Sequence, residues 1–213
     1  MFAPLETPSH PDEAAAVAEA RAALALSHMD LGHADVGHAD LGHADLGRAP
    51  PAFTPIAADA LPNAVRPRLD HIDGMTAALA RHAGCPVSVN VQARVRDQGP
   101  GLDRLRRRVI LAKQTDGSPL ALGLLAVDLL ALPPAVAAEA LAERTPFGTL
   151  LANAGLSFLS RPRLFFRLVA DAPLARLLGG HEGETLYGRL AHLALTAPGA
   201  EHPVARVVEI LRE

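Results

Sequence analysis

Apolar and polar positions alternate most clearly at the end of the chain. There PVARVVEILRE places Val207, Glu209 and Leu211 on one side of an extended segment, so a carboxylate points where two aliphatic side chains point. The same two-residue period marks PVSVNVQARV, residues 86–95, and predicts a strand. RLRRRVILAKQTDGSPLALGLLAV predicts two strands joined by a turn at Asp116–Gly117. SFLSRPRLFFRLVA and ETLYGRLAHLAL add two more, and the turn TAPGAE joins the second to the terminal strand. Helical spacing appears in RLDHIDGMTAALARHAG, where Leu69, Ile72, Thr76, Leu79 and Ala83 recur and Gly84 stands as a C-terminal stop. A short helix is expected over residues 134–143, after a buried strand in LALGLLAVDLLALPP. The order predicts an α+β fold with an antiparallel sheet of about six strands flanked by helices.

The compact domain is expected to span residues 65–213. Ahead of it come an alanine-rich helix at 12–29, a five-residue repeat from Leu31 to Pro50, and a proline-rich linker at 49–67 that runs into the domain's start. The helix has good propensity but little large apolar surface. In the repeat, LGHADVGHADLGHADLGRAP, His33, His38 and His43 stand with Asp35, Asp40 and Asp45. A five-residue step turns a helix by about 500°, which scatters these histidines rather than gathering them on a metal. The repeat resembles the pentapeptide-repeat pattern, but it completes at most about one coil and cannot bury a core. It is read as an exposed low-complexity expansion.

Composition narrows the classes. Apolar residues make up 49% and charged residues 20%, and the net charge of -3 gives no general attraction to nucleic acid or to an anionic membrane. Lys113 is the only lysine; every other basic residue but histidine is arginine. The single cysteine, Cys85, excludes an internal disulfide and reads as a packing residue. Asp128 and Pro133–Pro134 interrupt the most apolar window, residues 120–141, so no membrane span is expected. The N-terminus has no secretion-signal pattern, and a cytoplasmic location follows as the expectation. Residues 1–64 show no three-helix pattern and no basic recognition helix, so nucleic acid is not an expected partner.

Several segments taken together resemble chorismate lyase, the family that releases pyruvate from chorismate to give 4-hydroxybenzoate. They are DGMT before the strand PVSVNV, RVIL leading to DGSP, TPFG, LYGRLAHLAL, and VVEIL near the end. The resemblance covers roughly residues 65–213 and implies a six-stranded antiparallel sheet with a ligand cavity under helical flaps. It also implies a carbon–oxygen lyase without cofactor or metal, acting on chorismate as a monomer, at the entry to ubiquinone or related aromatic products. By the same resemblance the ligand-binding residues are Met75, Arg108, Phe147 and Glu209, with Glu209 and Arg108 as the catalytic pair. Effector-binding domains of some transcription regulators share this fold. The alternative function is therefore a non-catalytic sensor or binding domain for an aromatic acid or other small molecule.

Each position has a physical rationale. Chorismate is a dianion, and arginine grips a carboxylate at two points. Arg108 is the candidate, and a one-residue shift of the turn would put Arg107 in its place. A carboxyl at Glu209 would hydrogen-bond the ring hydroxyl or carry a proton. Burial would raise its pKa and a nearby arginine would lower it, and the sequence leaves the winner open. Met75 and Phe147 would supply apolar wall. His71 and His82 read as solvated residues on the polar side of their helix.

Overall fold

Two antiparallel meanders make up the sheet. The first is β2 (Val87–Gly99), β3 (Leu102–Lys113) and β4 (Pro119–Asp128); the second is β5 (Phe158–Val169), β6 (Thr185–Ala197) and β7 (Ala200–Arg212). They join where β4 pairs with β7, and β1 (Phe53–Ile56) lies outside β5. All neighbours in the order β1-β5-β6-β7-β4-β3-β2 are antiparallel. The computed structural model describes residues 11–28 and 52–213, so the LGHAD repeat and its histidines lie outside the described residues. The α+β class is as expected, with seven strands rather than six among the described residues. The added strand comes from the proline-rich segment: Phe53 is buried, and its ring centroid lies 5.0 Å from that of Phe166.

The DGSP turn closes as its residues dictate. Asp116 accepts hydrogen bonds from the backbone N–H and hydroxyl of Ser118, and Gly117 takes a positive φ of 74°.

One face of the sheet is covered by α1 (Pro11–His28) and α6 (Ala172–Leu178). Ala16, Ala20 and Leu24 of α1 recur every four residues and join a core cluster with Leu122, Phe166, Val208 and Ile210. The helix thus buries small residues in close approach, which answers its lack of large apolar surface. Glu19 fixes it laterally by accepting from Arg206 at 2.9 Å and contacting His192 at 3.0 Å.

The other face carries α2 (Arg66–Leu69), α3 (Met75–Ala83), α4 (Pro134–Ala142) and α5 (Phe147–Asn153). The helix expected across residues 68–83 breaks into α2 and α3 around the Asp73–Gly74 pair. Ile72 is left in the connecting loop and is 51% exposed rather than on a buried face. Its carbonyl accepts from the Ser160 N–H at 2.8 Å, which ties that loop to β5. Gly84 ends α3 in the left-handed region at φ 67°, as its position predicts. No helix among the described residues is long and apolar enough to cross a membrane.

Candidate functional site

Alternation in β7 turns Val207, Glu209 and Leu211 to the face away from α1, and Val208 and Ile210 towards it. Glu209 is 5% exposed. Its cross-strand partner in β6 is Arg189, which is fully buried and donates from Nε to the Glu209 carboxylate at 2.5 Å. Arg189 also donates from Nη1 to the carbonyls of Leu69 and His71, at 2.7 and 2.8 Å, and from Nη2 to the Ser160 hydroxyl at 3.4 Å. The ion pair is thus satisfied on the cation side, and it clamps the α2–α3 loop onto the sheet. Burial pushes the Glu209 carboxyl above its ordinary value, against the opposing pull of Arg189.

Arg189 is a residue that sequence reasoning passed over. The signal was present: it shares strand parity with Ala191 and Leu193, so it stands at an inward position as Glu209 does. His71 also differs from expectation. It is half-buried, with Nε2 2.9 Å from the Arg68 carbonyl and Nδ1 3.0 Å from that of Asp73. Burial and then the Arg189 charge hold its pKa below the usual histidine value, which favours the neutral ring. It braces the loop rather than facing solvent.

Beside this pair lies a cavity of about 60 Å³. Its sheet floor comes from β3, β4 and β7, and its roof from the first turns of α3 and α5. Met75 and Phe147 line it, 4% and 6% exposed, and so does Glu209. Arg107 lines it as well, whereas Arg108 is turned to the opposite face. Leu105, Arg107, Val109 and Leu111 share one parity of β3, and the bulge at Val91/Ala93 in β2 leaves that parity intact. Of the two arginines considered from the sequence, the cavity therefore takes Arg107.

Arg107 is 4% exposed, and its buried Nε and Nη1 have no hydrogen-bond partner among the described residues. Burial lowers its pKa, and Glu143 opposes this electrostatically. Glu143 caps α4 at φ 58°, the one non-glycine residue with positive φ among the described residues, and pairs with Arg94 at 3.2 Å. Gly123 opens the floor between Val109 and Glu209; a Cβ there would stand 3.0 Å from Val109 Cγ2. Gly74 and Gly148 bring the roof helices together, a Cβ at either lying 3.9 Å from the other's Cα.

No family model matches the sequence, and neither does any curated protein. Solved structures do match. PhnF from Mycobacterium smegmatis aligns at a TM-score of 0.46 and 14% identity over 66% of this chain and 64% of that one. The C-terminal domain of the histidine utilization repressor from Pseudomonas syringae pv. tomato aligns at 0.38 and 15%, over 59% and 91% of the two chains. The ligand-binding domain of a Bordetella bronchiseptica protein described as a GntR-family transcriptional regulator aligns at 0.40 and 14%, over 59% and 82%. The chain thus spans somewhat less than two thirds of the full PhnF length.

The architecture is α+β, a seven-stranded antiparallel sheet flanked by helices. The expectation of a lyase is not supported by these structures, which are described as effector, ligand-binding and repressor domains. Glu209, the carboxylate expected to act on substrate, is paired with Arg189 and lines the cavity.

Proposed function

We propose that the chain is a non-catalytic small-molecule binding domain that senses an organic acid in the cavity beneath α3 and α5. The observation that carries this reading is Arg107. A guanidinium buried against apolar walls with two nitrogens unpartnered is costly to the ligand-free protein, and an incoming carboxylate removes that cost. Val109, Leu125, Phe147 and Val207 supply apolar wall, so the ligand's body is flat and apolar, as in an aromatic acid. Glu209 lies two strands from Arg107, roughly 10 Å across the sheet, and offers an acceptor to a hydroxyl at the ligand's other end.

The cavity is smaller than the roughly 150 Å³ that holds a benzene ring. Ligand entry therefore requires α3 and α5 to part at the Gly74–Gly148 contact. Calorimetric titration with 4-hydroxybenzoate, benzoate and cyclohexanol tests the reading. The acids should bind, the alcohol should not, and Arg107→Met should abolish the difference. Equal binding of acid and alcohol, or acid binding that survives Arg107→Met, would overturn it.

A further inference from the structure

A second and larger cavity, about 330 Å³, opens at the other end of the same elements and shares no lining residue with the first. α3 has its first turn at one cavity and its last turn, with His82 and Ala83, at the other. β3 likewise runs from Arg107 to Lys113, and β7 from Glu209 to Arg212.

The walls here are cationic. Arg68 is 8% exposed; its Nε donates to the Ala64 carbonyl at 3.1 Å, and its two Nη groups make no hydrogen bond or ion pair among the described residues. Lys113, half-buried and also on the lining, has an ammonium that makes none either. Arg212 is accounted for, donating to Glu184 at 2.7 Å and to the Gly179 carbonyl at 3.0 Å. Glu213 is the acid on the lining; it attracts Arg68 without forming an ion pair. His82 is exposed at the rim, and the charges of Arg68 and Lys113 reinforce burial in disfavouring its protonation. Three cations are thus drawn together where structural pairing requires only one of them. The carbonyl ends of α3 and α6 ease the repulsion but supply no counter-ion.

We propose that this cleft is a second ligand site, which takes a compact dianionic head group between Arg68 and Lys113. Arg68 provides a planar fork held in place by its bond to Ala64, and Lys113 a mobile point charge, a combination suited to a phosphate monoester or a vicinal dicarboxylate. Pro119, Leu120 and Leu178 form an apolar wall beside the cations, so the head group belongs to an organic body rather than to free phosphate.

The test is calorimetric titration of the full chain at low ionic strength with phenyl phosphate, phthalate, inorganic phosphate and benzoate, alongside Lys113→Met and Arg107→Met. The Lys113 ammonium forms no hydrogen bond or ion pair among the described residues and only attracts Asp116 at the turn, so its replacement should leave the circular dichroism spectrum unchanged. At least one organic dianion should bind about tenfold more tightly than inorganic phosphate, weaken about tenfold in Lys113→Met, and be unaffected by Arg107→Met. Preference for phenyl phosphate assigns a phosphate monoester, and preference for phthalate a dicarboxylate. Absence of dianion binding, or binding indifferent to Lys113→Met, would overturn the proposal. Loss of dianion binding in Arg107→Met alone would move the ligand to the first cavity and overturn it equally.

Discussion

Arg189 and Glu209 are direct cross-strand neighbours in β6 and β7, and each is the other's buried counter-charge. Removing the acid strands a cation that cannot reach water. Glu209→Ala should therefore lower unfolding free energy by about 3–5 kcal/mol, whereas replacing both residues by apolar ones should cost much less. Urea denaturation of the two single variants and the double variant measures the coupling. Additive losses would show that the pair contributes no interaction of its own.

Arg107 should behave in the opposite sense. Arg107→Met removes two unsatisfied buried nitrogens and should stabilise the ligand-free protein by about 1–3 kcal/mol while abolishing acid binding. Thermal melts with and without 4-hydroxybenzoate give both readings. A melting temperature below that of the natural sequence would mean that Arg107 has a structural partner.

Gly188 is required by space. A Cβ there would lie 2.4 Å from the Phe166 ring and 2.8 Å from the Glu209 carbonyl. Gly188→Ala should destabilise by at least about 1–3 kcal/mol, as overpacking does, and should disturb the Arg189–Glu209 pair next to it. A chemical-denaturation midpoint unchanged from the natural sequence would contradict that crowding.

Acid should release α1. Burial raises the Glu19 carboxyl, but the bonds and charges of Arg206 and His192 outweigh it and hold the group below the ordinary glutamate value. A depressed carboxylate stabilises the docked helix above the unfolded value, and that contribution is lost as pH falls through the folded value. Amide hydrogen exchange in residues 12–25 should therefore accelerate, relative to the sheet, below pH 4.5. Glu19→Gln should remove the pH dependence; if it persists there, another group anchors the helix. Solvent screening keeps the effect small, about 1 kcal/mol or less.

The sheet was legible where one parity of a strand is apolar and the other is not. That pattern gave β7 and the inward placement of Glu209, and the hairpin at Asp116–Gly117 followed from turn chemistry. Past Val109 it fails in β3, because α1 covers the far face and both Ile110 and Leu111 are buried. Three successive arginines, 106 to 108, then give no internal guide to which one faces the cavity, and Leu105 is the discriminating neighbour. β1 was hidden for another reason: four residues containing Pro55 have too short a period to register, and pairing with β5 alone makes them a strand. The α2–α3 break escaped notice because Ile72 fits a helical stripe, while Gly74 and the bond from Ser160 pull it out. Arg189 was legible by parity and needed only the question asked of Glu209.

The seam between the two meanders sets when the site comes into existence. β4 and β7 pair over six residues, Leu122–Val127 with Ala205–Ile210, whereas β6 and β7 pair over twelve. Each meander closes through local hairpins, but the seam joins segments some eighty residues apart and carries the larger loop-closure entropy. Gly123 and Leu125 come from one side of it, Val207 and Glu209 from the other. The cavity is thus incomplete until this joint closes. A ligand that bridges it would act on the opening step, slowing unfolding while leaving the folding rate unchanged.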